Sequence, residues 1–216
     1  TEELPAGYIA PALASFSSIL LKKMTDTRIA HGKINTYGTP RRLTVIVDDV
    51  ADKQTTMSVE MMGPPERIAM DEKGNLTVPG QKFAEKISVS PKQLKVKETE
   101  KGRYLYAVKT ERGIATKTFL KGILPEVILA ISFPKTMRWG ALKIQFARPI
   151  HTIAALLGKD VISFQVGDVK SGRNTFGHRF MAPKKIKLSS PDQYLELLSD
   201  SFVMADIGLR REKLVA

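Results

Sequence analysis

Arginines and lysines recur in this chain beside residues that bend the backbone or present a flat face. They stand in Thr39-Pro40-Arg41-Arg42, Lys135-Thr136-Met137-Arg138-Trp139-Gly140, Arg148-Pro149-Ile150-His151 and Lys170-Ser171-Gly172-Arg173, and again in Gly177-His178-Arg179-Phe180. A guanidinium is a planar fork of donors that matches phosphate and stacks on bases. Trp, Phe and His add flat faces, so the interleaving suits RNA with exposed loops or ends. The competing reading is structural: such arginines also pair with internal carboxylates or cap helix carbonyls, and a lone tryptophan usually finds burial. The candidate RNA contacts are Arg41, Arg42, Lys135, Arg138, Arg148, Lys170, Arg173 and Arg179, with Trp139 and His178 as candidate stacking groups. Trp139, the single tryptophan, is read as an anchor that positions Arg138.

Other chemistries find little support. His31, His151 and His178 lie far apart, without the close spacing of a helical metal-ligand pair, so no metal site is expected. Neither GxxxxGK[ST] nor a post-strand GxGxxG is present, and no serine stands in a nucleophile elbow. No catalytic residue is singled out. The balance of 34 Lys+Arg against 22 Asp+Glu gives a formal net charge of +12, which favours an acidic partner. Cysteine is absent, so no disulfide or thiolate site staples the fold, as suits a reducing cytosol. The longest apolar runs, such as Gly122–Ser132 with its Pro125 and Glu126, fall short of the ~20 residues of a membrane helix, so no membrane partner is expected.

The elements that must position these residues follow from periodicity. Ile9, Leu13, Phe16 and Leu20 mark one face of a helix over 5–24, opened by Pro5. Arg42–Val50 is rich in β-branched residues and reads as a strand, with His31–Tyr37 as its partner. Two prolines make Met62–Pro65 a turn or crossing loop, and Asp71–Asn75 a further turn follows. Phe83, Ala84 and Ile87 fit a short helix, Ser90-Pro91 a turn, and Lys95–Thr99 with Arg103–Thr110 a hairpin around Glu100-Lys101-Gly102. Phe119, Leu120, Ile123, Leu124, Val127, Ile128 and Ile131 form the strongest amphipathic stripe, which Pro125 should kink or split. Ile150–Leu157 and Val161–Val166 read as a hairpin, or a helix then a strand. Ser190-Pro191-Asp192 should cap a helix through Leu198, and Phe202–Ala205 should be a strand entering a helix that the chain end cuts off. The expected fold class is α+β, helices packed on mixed or antiparallel sheets, over 1–200 with a weak boundary near 64–80; residues 201–216 begin the next element.

Taken in order, several blocks resemble the N-terminal part of the β-subunit family of bacterial heterotetrameric glycyl-tRNA synthetase. They are Thr1-Glu2-Glu3-Leu4-Pro5, Thr39-Pro40-Arg41-Arg42-Leu43, Gly63-Pro64-Pro65, Met137-Arg138-Trp139-Gly140, Phe146-Ala147-Arg148-Pro149-Ile150-His151, Leu156-Leu157-Gly158, and Ser171-Gly172-Arg173 with Gly177-His178-Arg179-Phe180. The resemblance spans essentially the whole chain. It implies a fragment of a longer β subunit that continues into HD-like and anticodon-binding domains, and the opening on Thr1 rather than Met agrees. It implies a fold like the B3/B4 module of the phenylalanyl-tRNA synthetase β subunit, an editing domain there. It implies a cytoplasmic α2β2 assembly with tRNA(Gly) and the α subunit as partners. ATP and Mg would be used by the holoenzyme through the α subunit, leaving this part of the glycine–tRNA ligase non-catalytic and without its own cofactor. The family usually has a short strand ahead of the first block and a basic residue before Gly63, where this chain has Met61-Met62. Two other readings stay open. In one, the basic face or the helix Phe119–Ile131 docks on the α subunit or the rest of β. In the other, a residual editing hydrolase has a pocket holding His151 or His178 beside a carboxylate.

Overall fold

A computed structural model of the chain describes residues 1–71, 74–100 and 102–216. The parts of the expected turns that fall on 72, 73 and 101 lie outside the described residues. In chain order the helices and strands begin with α1 (Ala6–Asp26), β1 (Ile34–Thr39), β2 (Arg42–Val47), β3 (Met57–Pro65), α2 (Glu66–Ala69), α3 (Val78–Ile87), β4 (Lys95–Thr99) and β5 (Gly102–Glu111). They continue with α4 (Thr116–Leu129), β6 (Ile153–Ala154), β7 (Leu156–Leu157), β8 (Asp160–Val161), β9 (Gln165–Val166), β10 (Val169–Gly172), β11 (Asn174–Phe176), β12 (Lys185–Lys187), α5 (Tyr194–Asp200) and α6 (Ile207–Val215). The class is α+β: β6 and β10 pair in parallel, and the other ladders are antiparallel.

The chain forms two compact units, Thr1–Gln54 with Ile114–Ala216, and Thr55–Gly113 inserted between them. Residues 64–80, read from sequence as a weak boundary, lie inside the second unit. In the first unit α1 is continuous and buries Ile9, Ala12, Leu13, Leu20 and Met24, the stripe its spacing dictates. Leu20 and Met24 share a core with Ile29, Ile162 and Leu120 and Val127 of α4. Helix α4 runs through Pro125 without splitting, contrary to one of the two expected outcomes, since its apolar side is fixed in this core by tertiary packing. Phe119, Ile123 and Leu124 also pack there, half-buried.

Three expectations along the first unit change. Ser190 makes no side-chain cap; a 3-10 turn at Pro191–Gln193 leads into α5 instead. Phe202–Ala205 is not a strand but a turn and extended segment whose Ala205 carbonyl accepts from Gly38 N at 2.9 Å. Helix α6 then starts at Asp206, whose carboxylate accepts from Gly208 N and Leu209 N at 2.8 and 3.1 Å, an N-cap that the Leu209 periodicity did not reveal. The segment 150–166 resolves into pieces of two residues, with β7 and β8 a hairpin around Gly158 at φ 55°.

The second unit is a sheet in the order β3-β5-β4 with α2 and α3 on one face; Leu105, Ala107, Ala69, Ala84 and Ile87 are buried. The 95–110 hairpin forms as expected, Thr99 opposite Gly102. Met62–Pro65 is not a turn: it is the end of edge strand β3, where the register shifts between Met62 and Pro65. An edge strand with a bulge tolerates prolines because one side of it needs no ladder donor. Gly63 admits the ring of Phe83 from α3, since a Cβ at that position would lie 2.6 Å from it.

Thr116, fully buried at the start of α4, donates its hydroxyl to Ala51 O at 2.5 Å and its N–H to Asp52 O at 2.8 Å. Thr116→Val keeps the shape and removes the hydroxyl donor from the half-buried Ala51 carbonyl, which should remove about 0.5–1.5 kcal/mol of stability. The reading is a lower urea midpoint with unchanged slope, and an unmoved midpoint would contradict the role given to the hydroxyl.

Candidate nucleic-acid interface

The opening residues are the hub of the first unit's basic surface. Glu2 N donates to Pro149 O at 3.0 Å and Leu4 N to Pro40 O at 2.6 Å, so the strand-like segment 1–5 lies between the 146–151 loop and the β1–β2 turn. Leu4 is buried with Ile9, Leu13 and Ala147, whereas Glu2 and Glu3 point outward. Thr39 faces Arg42 across the hairpin, leaving Pro40 and Arg41 as its two-residue turn. From it Arg41 reaches Glu3 Oε1 at 3.7 Å, and Arg179 approaches the same oxygen at 3.8 Å. One carboxylate therefore draws together two arginines 138 positions apart in sequence. Arg42 turns the other way and donates to Phe176 O at 2.8 Å, tying the hairpin to β11. Burial draws the Arg42 guanidinium below its ordinary value, yet arginine stays charged at neutral pH.

Further along the same surface His151 Nε2 lies 3.0 Å from Glu2 Oε1. The Glu2 carboxyl is held below its ordinary range chiefly by this hydrogen bond, with the charges of His151, Arg41 and Arg179 adding to it. Arg148, exposed, precedes the Glu2–Pro149 contact by one residue and donates to Met137 Sδ at 4.0 Å. Met137 and Phe146 exchange backbone hydrogen bonds at 2.8 and 3.2 Å, which makes 134–148 a loop closed at its base. Inside it Trp139 is half-buried against the core of Ala12, Ile131, Phe146, Ile150 and Val166. Its position matches an anchor, and the neighbouring Arg138 is exposed; with the Gln145 amide oxygen turned toward it, Arg138 donates at 3.2 and 3.3 Å. Lys135 is exposed on the same loop.

Not every basic residue singled out by sequence is free for a ligand. Arg173 donates to Leu188 O at 3.4 Å and to Lys159 O at 3.0 Å, which spans two loops of the fold. His178 Nδ1 accepts from Phe180 N and Met181 N at 3.2 and 3.1 Å, so the ring organises its own loop, and the neutral ring carries its proton on Nε2. Lys170 is exposed on β10 opposite Gln165, held by that sheet and not by the Glu3 centre. Sequence reasoning passed over Glu2 and Glu3 as actors, because a carboxylate beside an arginine 38 or more positions away leaves no local signal. It also passed over Lys184 and Lys185, exposed beside the arginine loop, although a lysine pair after a proline was visible.

A cavity of about 890 Å3 in the first unit is lined by Arg42, Thr44, Asp48, Asn174 and Tyr194 among others, and no histidine is among the residues that line it. The His151–Glu2 pair that a hydrolase would call for exists, but it sits on the surface with about half of each side chain exposed. Among the described residues no group of three His, Asp or Glu could hold a metal ion, and no helix is long and apolar enough to cross a membrane.

All of residues 1–216 match the sequence profile of the family described as glycyl-tRNA synthetase beta subunit. The chain belongs to that family. It is 48% identical over 210 residues to the glycine–tRNA ligase beta subunit of Desulforapulum autotrophicum, covering 97% of this chain and 30% of the relative. It is 49% identical over 212 residues to that of Desulfatibacillum aliphaticivorans (98% and 31%), and 43% identical over 214 to that of Myxococcus xanthus (99% and 30%). The chain thus spans about 30% of the length of these family members. Within the family fold, the blocks TEELP, TPRRL, ARPIH and GHRF are the ones that converge on the Glu2–Glu3 hub.

The Glu2–His151 pair can be checked directly. A carboxyl whose folded value is depressed favours the fold above the ordinary glutamate range and loses that support as pH falls through the lowered value. In a carboxyl-resolved NMR titration Glu2 should titrate below ordinary glutamates, and His151→Ala should return it upward. A Glu2 titration that His151→Ala leaves unmoved would remove the pair from the surface described above.

Proposed function

We propose that this region is the tRNA-recognition part of a β subunit of glycine–tRNA ligase, contributing tRNA(Gly) binding to the ATP-dependent attachment of glycine. Aminoacylation, with its ATP and Mg, belongs to a separate α subunit in a cytoplasmic α2β2 assembly, and the present region holds no catalytic residue of that reaction. A B3/B4-like fold is part of the same proposal. What supports it most is one juxtaposition: family blocks distant in sequence bring Arg41, Arg42 and Arg179 around segment 1–5, with Arg148 next to its Pro149 contact.

The chemistry follows from charge and hydration. Arg41 and Arg179 are exposed enough that their pairs with Glu3, at 3.7 and 3.8 Å, are worth only ~0–1 kcal/mol each. A phosphate arriving from solvent can therefore replace Glu3 as their partner at little cost. The carboxylate keeps the guanidinium groups gathered until then. Arg42, Arg148 and Arg138 with Lys135 extend the positive surface, and Lys170 adds a separate cation on β10. Trp139, Arg173 and His178 act by positioning: Trp139 seats the Arg138 loop, Arg173 ties two loops, and His178 shapes the turn that carries Arg179.

The test is a titration of the full-length β chain, assembled with its α subunit, against glycine tRNA and an unrelated tRNA at several salt concentrations. Preferential binding to glycine tRNA that persists as salt rises is the expected result. Arg179→Ala should lower the slope of log affinity on log salt by about one phosphate contact. A slope and affinity unmoved by substituting Arg41, Arg42 and Arg179 together would refute a tRNA-facing role for this surface.

A further inference from the structure

The loop that carries Arg179 presents apolar side chains to solvent in a way the fold itself does not need. Phe180 is 79% exposed, Met181 61% and Phe202 57%. A large apolar side chain left in water forgoes the stabilisation of burial, so a group of them at one tip calls for a partner surface. The tip is built, not frayed. His178 Nδ1 accepts the N–H groups of Phe180 and Met181, Ala182 N returns to His178 O at 3.0 Å, and His178 N donates to Ser201 O at 2.9 Å, bringing the Phe202 turn alongside. Gly177 is needed for that closeness: a Cβ there would lie 2.4 Å from Ala182 O and 2.8 Å from Ser201 Cβ.

What surrounds the tip decides its partner. The Arg179 guanidinium lies over the Phe180 ring at 5.5 Å. Arg41 shares Glu3 with Arg179, and Arg42 is bonded to Phe176 O. Lys185 stands opposite Phe176 in the β11–β12 ladder, and Lys184 O accepts from Gly177 N, so two exposed lysines flank the loop. Arg179 thus stacks on an exposed aromatic and shares Glu3 with Arg41, while Lys184 and Lys185 stand where β12 leaves the same loop. A purely apolar protein contact would not use the exposed cations beside Phe180, whereas single-stranded RNA supplies both a base face and closely spaced phosphates.

We infer that loop 177–183 is a base-stacking platform, on which Phe180, flanked by Met181 and Phe202, receives an unpaired nucleobase of the RNA while Arg41, Arg179, Lys184 and Lys185 hold the phosphates beside it. This rests on the tRNA-binding reading above and names the part of the RNA that this surface takes: an unpaired, splayed-out base. Phe180, not His178, is the stacking group, because the histidine ring is committed to the backbone of its own loop.

The experiment uses the full-length β chain with its α subunit and two short RNA duplexes, one blunt and one with a single-stranded 3′ overhang. The wild type should prefer the overhang, and Phe180→Ala should weaken binding to it by about 5- to 150-fold, as loss of one base–aromatic stack does, while Phe180→Trp retains it. Because Phe180 touches no phosphate, its removal should leave the salt slope unchanged, whereas Lys184→Ala with Lys185→Ala should reduce it. If Phe180→Ala binds both duplexes like the wild type while the lysine variant loses slope, the stacking platform is wrong and the cation surface stands. If neither variant changes binding or slope, both fall. If Phe180→Ala instead impairs assembly with the α subunit by sedimentation, leaving RNA affinity intact, the tip is a protein contact and the inference is overturned.

Discussion

Burial of Leu4 holds the basic surface together. A fully buried leucine stabilises by roughly 1.5–3 kcal/mol, and the backbone bonds of Glu2 and Leu4 add about 0.5–1.5 kcal/mol each. The exposed ion pairs around them are weaker, at ~0–1 kcal/mol. The apolar anchor therefore fixes the segment, and the segment in turn fixes where Glu2 and Glu3 present their carboxylates. Leu4 seated against Ile9, Leu13 and Ala147, together with the backbone bonds of Glu2 and Leu4, holds Glu3 where Arg41 and Arg179 reach one oxygen.

That hierarchy suits a binding surface. Strong interactions are buried and apolar or backbone to backbone; the charged ones are exposed, weak and exchangeable. Helix α1 is the common support: its Ala12 joins the core that seats Trp139, its Ile9 and Leu13 receive Leu4, and its Leu20 and Met24 pack with α4. The 134–148 and 146–151 segments leave from these cores, whereas the Arg179 loop is carried by β11 and β12, whose Ile186 packs in a separate core with Leu188, Tyr194 and Leu198. The second unit has a separate logic. Its sheet closes one face with α2 and α3 and sets a bulge at Gly63-Pro64-Pro65, so that block is explained by the seat it gives to Phe83.

Much of the fold was legible in sequence because its signals are local. Helix α1, the β1–β2 hairpin, the β4–β5 hairpin and α4 each follow from apolar spacing or turn residues within one segment. The misreadings share a cause as well. Met62–Pro65 looked like a turn because proline forbids a central strand, and only the sheet order shows that β3 is an edge. Phe202–Ala205 looked like a strand from its residue types, but it has one backbone bond to Gly38 and no ladder. Ser190 looked like a cap, but its side chain makes no capping hydrogen bond.

The sequence by itself determined the α+β class, the family, the excess of positive charge and the residue blocks that carry it, since composition, periodicity and motif are properties of neighbours along the chain. Tertiary structure alone decided which of those cations stand together. Arg173 and His178 satisfy backbone groups of the fold, while Arg41 and Arg179, far apart along the chain, meet at one carboxylate beside an aromatic left in solvent. A guanidinium is chemically the same in every block. Whether it faces a carbonyl or open water depends on which distant segment packs beside it, and that is settled only when the chain has closed around Leu4.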